Sequence, residues 1–429
     1  MKAKTRLLQI LPVFLMFMVA CSPSNDKKNT ESLTSVIEGE LTLPDGFSSI
    51  VVAESLGRGR HIAVRDNGDV FLALRQLENN KGIVALRDTD GNGSADIIEY
   101  FGEFPGTGID FHNGYLYFGS DQEIMRYNFP DEELLPNPNR ELIVTGFPDQ
   151  NQHEVKPFTF DGEGNIYVNV GAPSNACMEQ MRTAGSKGLY PCPQLERHAG
   201  IWRFKDNVLN QDQVKDGYRY ATGIRNSVAL DWNFNSNHLY VAQHGRDQLS
   251  QFFPDLYDED AGVNLPAEEL FLVKDGSDFG WPYCYFDPYL KKKVQSPEYG
   301  GDGESIKGCE DKEDPIMFFP AHAAPNDILF YSGNQFPERY RNGAFVAFHG
   351  SWNRAPQEQE GYYVVFIPFD GEYPSGDWEI FADGFAGKEV VMQPHEAEHR
   401  PMGLAQGPDG SLFVSDSQSG KIWKIQYND

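Results

Sequence analysis

The chain has 429 residues, with 36 Lys and Arg against 63 Asp and Glu, and a formal charge of −27. So acidic a chain excludes a basic nucleic-acid-binding stripe, and the lack of any Cys-x-x-Cys-His segment excludes a covalently attached c-type haem. Aromatics at 13%, with 42 Gly and 27 Pro, point to many short strands joined by tight turns.

Lys2, Lys4 and Arg6 precede an apolar run from Leu7 to Ala20 that ends in Met18-Val19-Ala20-Cys21. The run is short for a spanning helix, which needs about 20 apolar residues, and it reads as a signal peptide. It resembles a bacterial lipoprotein signal, which makes Cys21 the acylated first residue of the mature chain; a plain signal peptide or a membrane helix are the alternatives. Ser22 to Thr34 is rich in Ser, Asn, Asp and Lys, the composition of a disordered tether. The expected organisation is therefore a signal peptide over 1–20, a lipidated Cys and tether over 21–37, and one folded domain over 38–429. Such a protein is exported and held at the outer membrane, facing the periplasm or the outside, by its lipid alone.

Six segments then repeat one pattern, a turn of Asn, Asp or Gly leading into a short alternating strand. They are Asn67–Leu72, Asn113–Phe118, Gly164–Val170, Asn237–Ala242, Asn342–Ala347 and Asp409–Val414. Each is a hairpin signal. A spacing of about 60 residues suits the blades of a propeller with some long loops, so the predicted fold is all-β, a six-bladed β-propeller. A β-sandwich carries the same local signals without the even repetition. Glu38 to Leu43 and Lys421 to Tyr427 are expected to share a blade and close the ring. The longest interval, Gln243 to Arg341, is a candidate for specificity loops.

Four cysteines lie in this domain: Cys177, Cys192, Cys284 and Cys309. Exported thiols tend to be oxidised and an even count allows full pairing. Pairing neighbours, Cys177 with Cys192 and Cys284 with Cys309, closes two short loops. No Cys-x-x-Cys spacing supports a metal site instead.

Polar groups cluster beside the repeated strands. Arg60-His61 precedes the first, Gln150–Glu154 with His153 the third, and Arg225-Asn226-Ser227 the fourth. Gln243–Asp247 with His244 leaves the fourth, His349–Arg354 leaves the fifth, and His399-Arg400-Pro401 precedes the sixth. Propeller loops meet at one end of the central channel, so these groups form either a pocket for a multiply anionic ligand or a set of blade-to-blade ion pairs.

The segments Gly223-Ile224-Arg225-Asn226-Ser227, Phe279-Gly280-Trp281-Pro282, Phe348-His349-Gly350-Ser351-Trp352-Asn353-Arg354 and Arg400-Pro401-Met402-Gly403-Leu404 resemble the soluble glucose dehydrogenase and L-sorbosone dehydrogenase family, in its sorbosone and pyranose branch. The likeness runs from about Leu43 to Tyr427. It implies pyrroloquinoline quinone and Ca²⁺ as cofactors, a sugar or sugar aldehyde as substrate, and a separate cytochrome or quinone as electron acceptor. It implies His153 as general base. Arg60, Arg225, Asn226, His244, His349, Trp352, Arg354 and Arg400 would surround the quinone, and the backbone carbonyls of Gly245 and Arg246 would meet the calcium. Two other readings of a propeller stand beside this one: a calcium-dependent lactonase with metal ligands in the channel, and a non-catalytic glycan-binding surface protein.

A second metal signal is independent of that resemblance. In Asp88–Glu99, Asp88, Asp90, Asn92, Asp96 and Glu99 fall at calcium-loop positions 1, 3, 5, 9 and 12, with Gly93 at position 6. The other reading of this stretch is an Asp-Gly hairpin tip.

Overall fold

The structure is a computed structural model, and it describes residues 41–130 and 132–428. The signal peptide, Cys21 and the tether lie outside the described residues.

Each sequence repeat becomes the second strand of one sheet: Val70–Glu78, Tyr115–Ser120, Asn165–Val170, His238–Gln243, Gly343–Phe348 and Leu412–Asp416. The turn residues act as their types require. Asn113 and Gly114, at φ 51° and 79°, connect paired His112 and Tyr115, the left-handed geometry of a two-residue hairpin. Six sheets of four or five strands result. Their innermost strands are Gly59–Val64, Gly106–His112, Phe158–Phe160, Ser227–Asn233, Pro325–Phe330 and Pro401–Gln406, each beside the next and the last beside the first. The protein is a six-bladed β-propeller.

Every blade interface carries its own hydrophobic cluster, because both faces of each sheet are apolar. Between the fifth and sixth blades, Phe47 meets Phe336, Tyr340 and Phe381 edge-on at 4.9, 5.5 and 5.0 Å between ring centroids. Phe47 belongs to the strand that closes the ring. That strand is Phe47–Ala53, antiparallel to Ile422–Tyr427. It therefore replaces the expected Glu38–Leu43, of which Thr42 makes only a bridge to Asp383. Phe47 and Ser49 are buried and Val51 packs half-buried against the same cluster, whereas the sequence Glu38-Gly39-Glu40 has no apolar side chain to offer.

Both neighbouring cysteine pairs are disulfides, Cys177–Cys192 and Cys284–Cys309, with Cα separations of 6.2 and 6.0 Å. The second ties down an insertion between the third and fourth strands of the fourth blade, Glu268–Val273 and Met317–Phe319. Reduction should destabilise the protein by roughly 3 kcal/mol per loop in the chain-entropy description. Urea unfolding with and without a reductant measures this; identical midpoints would show that the loops carry no such constraint.

The inner strands all run the same way, so the channel has two distinct ends. From their C-terminal ends opens a cavity of about 560 Å³. Asp110, Asp231 and Asp327 project into it from three blades. Depth in the channel raises the carboxyls of Asp110, which still meets channel water, and Asp231 to about 7, and burial with the two neighbouring carboxyls raises Asp327 well above its ordinary value. A carboxyl so raised keeps a proton that the unfolded chain has lost. Its contribution is therefore fully favourable below about pH 4, declines as pH rises to about 7, and is then level. Asp110→Asn should match the parent near pH 4 and exceed it at pH 8, by roughly 1 kcal/mol once screening by channel water is allowed for. Thermal melts at the two pH values check the sign; an unchanged difference would show that Asp110 titrates normally.

Candidate active site

The opposite end of the channel collects the loops that precede the inner strands and follow the second strands. A cleft of about 350 Å³ opens there, lined by His153, Arg182, Arg225, His244, Glu268 and Trp352 among others. Five blades contribute to this end, which is why its residues are scattered along the sequence.

His153 sits in a left-handed backbone conformation, φ 54°, that turns its imidazole into the cleft. The Gln150 amide pins the loop by donating to the carbonyls of Gln152, His153 and Gly171 at 2.7, 3.0 and 3.0 Å. His153 Nδ1 donates to the Ala172 carbonyl at 2.6 Å, which assigns the lone pair to Nε2. A side chain at Gly171 would lie 2.5 Å from Asn226 Oδ1 and 2.6 Å from His153 Cβ, so only glycine lets these segments meet. Burial, then the Arg225 guanidinium, pushes the His153 imidazole down to about 3. His244, whose Nε2 donates to the Pro325 carbonyl at 2.9 Å, is pushed down to about 4 by burial and Arg225.

Arg225 is buried and held on all sides. Its Nη2 donates to Asp247 Oδ2 at 2.8 Å and to Asn175 Oδ1 at 3.1 Å, and its Nη1 to the Gly245 carbonyl at 2.7 Å. Asp247 is the hub of this network. It also accepts from Asn353 Nδ2 at 3.0 Å and lies 3.8 Å from His322 Nδ1 and 3.9 Å from Arg182 Nη2. Burial opposes its charge, yet Arg225, His322 and Arg182 hold the carboxyl below its ordinary range. Glu268 has no cation in contact among the described residues. It accepts from the Gly245 and Ala324 amides at 2.7 and 3.4 Å, and burial raises it to about 8.

The arginines expected around one ligand part company here. Arg60 and Arg400 stand at the mouth near His349, whose imidazole is driven well down by burial, Arg400, Arg60 and His244. Burial and then Arg75 lower Arg60 to about 10, against the opposing pull of Asp121 and Glu154. Arg400 donates to the His349 and Gly350 carbonyls and lies 5.4 Å from the Tyr362 ring. Arg354 is not brought to the cleft. Its guanidinium is spent on the carbonyls of Glu358, Val263 and Ala321 and on Asn264 Oδ1, bracing the loop that carries Trp352. Asn226 is buried; its backbone carbonyl accepts from His244 N at 2.9 Å. The Gly245 carbonyl faces the Arg225 cation, so calcium there would have to displace it. The Arg246 side chain turns away to a buried pair with Glu298 at 2.5 Å.

A family model described as TrAA12-like matches residues 41–428. The chain belongs to the TrAA12-like family. It is 30% identical to an uncharacterized protein of Borreliella burgdorferi, over 91% of this chain and 92% of that one. It is 24% identical to a pyrroloquinoline quinone-dependent pyranose dehydrogenase of Coprinopsis cinerea, over 90% of this chain. The chain spans about half the length of that relative, 54%. The solved pyranose dehydrogenase PQQ domain from Coprinopsis cinerea superposes with a TM-score of 0.72 at 20% identity, covering 91% of this chain and 98% of that one.

In this TrAA12-like chain the acidic turn assembles only in part. Asp88, Asp90 and Asp96 bring carboxylate oxygens within 4.8 Å of one another, but Glu99 is taken into the strand Ile97–Phe101, opposite Ala85. Asn92 Oδ1 accepts from Ser94 N at 2.7 Å, and Asp88 and Asp96 accept from the amides of Gly91, Gly93 and Thr89. The carboxylates thus already organise a hairpin tip.

Asp247, Glu268, Arg182 and His322 were not among the residues expected at the site. Asp247 ends the Gln243–Asp247 segment and was within reach; Glu268 reads as one more residue of a strand. Removing Asp247 strands the buried Arg225 charge. Asp247→Ala should cost about 3–5 kcal/mol in urea unfolding, and a loss below about 1 kcal/mol would show that the cleft does not depend on the pair.

Proposed function

We propose that the chain is a pyrroloquinoline-quinone-dependent dehydrogenase of sugars or sugar aldehydes, of aldose, pyranose or sorbosone type. The observation that carries this reading is His153, an imidazole held neutral with Nδ1 committed to the Ala172 carbonyl, in one cleft with Arg225 at the end of the channel where Arg60 and Arg400 flank His349. The family membership and the similarity to a pyranose dehydrogenase support it. An exported lipoprotein anchored through Cys21, passing electrons to a separate cytochrome or quinone, is part of the same proposal. Calcium enters it with the quinone, from the resemblance to a family that takes both.

The cations suit a polycarboxylate. Arg60 and Arg400 flank His349 at the channel mouth, and their guanidinium N–H groups can donate to carboxylate oxygens. These residues, with His349 and the Arg225–Asn226 corner, would hold the quinone. When bound, the quinone supplies the electrophilic carbonyl that accepts hydride. The chain itself supplies the proton transfer. A sugar hydroxyl at His153 Nε2 gives up its proton as its carbon gives up hydride, and the Ala172 carbonyl supports the imidazolium through Nδ1. Asp247 keeps Arg225 fixed, so the positive field beside His153 does not move.

A calcium-dependent lactonase finds less here. Among the described residues, the channel carboxylates Asp110, Asp231 and Asp327 do not gather into a metal-sized group.

His153→Ala should still take up quinone, seen as a bound-cofactor absorbance, while kcat falls by about 10²–10⁴. Arg60→Ala or Arg400→Ala should instead weaken quinone uptake by about 1.5–3 kcal/mol with partial rescue at excess cofactor. With the imidazole neutral from about pH 4 upward, kcat/KM should show no limb near 6.5, the ordinary value. Protein that takes up quinone and calcium yet oxidises no aldose, sorbosone or other aldehyde with a dye acceptor would refute the reading and favour a glycan-binding propeller.

A further inference from the structure

Beside the His153 cleft lies a second cavity of about 340 Å³, and Trp352 forms a wall of both. The rest of its lining mixes polar Gln248, Ser250, Gln251, Glu259 and Asn353 with apolar Gly262, Val263 and Ala355. Both cavities fall in the size range of small-molecule pockets.

Trp352 is 54% exposed, although the residues around it are locked. Ser351 N donates to the Glu360 side of the loop at 2.8 Å and Ser351 Oγ to Gln359 Oε1 at 2.8 Å. Asn353 Nδ2 is tied to Asp247, and Arg354 to Val263 and Ala321. A rigid loop thus presents a bare indole to water between two concavities, at a cost in apolar hydration that a ligand ring would remove. Asn353 Oδ1 is buried without a partner among the described residues. Gln248 holds a left-handed backbone, φ 66°, and its amide bonds Gln251 Oε1 at 2.5 Å, which leaves the Gln251 NH₂ as a donor. Glu259 adds a carboxylate acceptor, and no basic residue lines the cavity. Donors and acceptors alternate beside an aromatic face. An anion would meet Glu259 unopposed, and a wholly apolar group would strand the amides. A neutral ring bearing hydroxyls on its edges and C–H groups on its face satisfies every lining group.

We propose that this cavity is a second saccharide subsite, so that the preferred substrate has at least two linked sugar units. The unit that reacts lies in the His153 cleft, and the next lies across Trp352 against Gln251, Glu259 and Asn353. This deepens the dehydrogenase reading and rests on it.

The test uses the full chain, titrated calorimetrically with glucose, maltose and cellobiose, without and with quinone. At least one disaccharide should bind about tenfold or more tightly than glucose. Gln251→Ala combined with Glu259→Gln should bring it to within about twofold of glucose while glucose binding stays as in the parent. Trp352→Ala should lose affinity for both sugars. Equal affinity for one and two units, an advantage that survives the double variant, or no sugar binding at all would each overturn the subsite. If glucose is still oxidised by the quinone-loaded protein in those cases, the dehydrogenase reading survives the loss of the subsite.

Discussion

A ring of blades has two ends to join, and everything else here depends on that joint. Residues 47–53 pair with residues 422–427, so the sixth blade is built from both chain ends. The pairing seats Phe47 among Phe336, Tyr340 and Phe381 and removes the two sheet edges that an open array would expose. It also fixes the inner strands around one axis. Arg60, Arg225 and Arg400 stand at or just before the starts of three such strands, while His244 and His349 follow second strands that return to the same end. Antiparallel pairing thus places both groups at one mouth. Closure converts a linear spacing of residues into a cleft.

Within the cleft, charge is handled by enclosure. Arg225 and Asp247 are both buried, and a buried pair of this kind repays its desolvation only when the remaining donors and acceptors are satisfied. They are: Asn175, the Gly245 carbonyl and Asn353 complete the set. Burial, reinforced by the fixed Arg225 guanidinium, keeps His153 and His244 neutral. Glu268, with amide donors and no cation in contact among the described residues, stays protonated near neutrality through the same burial. The imidazole that can take a proton and the carboxyl that already holds one therefore lie in the same cleft through burial acting on unlike groups.

The repeats were legible because a hairpin turn followed by period-two alternation is a local signal, and each of the six lies in one blade's second strand. The inner strands were harder to see. Phe158–Phe160 is three residues long, and Ser227–Asn233 and Pro325–Phe330 carry acidic residues into the channel where a buried strand is expected to be apolar. The closing strand was misplaced because both candidates flank one turn at Pro44–Gly46, and only partnership with residues 422–427 separates them. At the site, the basic residues beside the repeats gather toward one end of the channel. Their individual directions were not legible. Arg354 and Arg225 differ by which carbonyls the long loops bring near, and those loops come from segments tens of residues apart. Asp247 stood in plain view, but its importance is a matter of what surrounds it.

The two ends of the channel differ in charge, and the difference follows from strand direction. At or just before the starts of the first, fourth and sixth inner strands stand Arg60, Arg225 and Arg400; further along the second, fourth and fifth come Asp110, Asp231 and Asp327. Because all six inner strands run in parallel, like residues at like depths share one level of the channel. A chain of net charge −27 would repel an anion from most directions. The basic mouth is the exception, while the carboxyls of the deeper level, with Asp110 and Asp231 raised to about 7 and Asp327 well above its ordinary value, largely keep their protons near neutrality. His61 lies at the boundary, its Nε2 donating to the Asn326 carbonyl at 2.8 Å and standing 4.0 Å from Asp327. Burial and Arg60 hold that imidazole neutral, so it adds no charge of its own to either level. An anionic ligand is therefore drawn to the mouth by the arginines, and the carboxyl level below adds no attraction of its own.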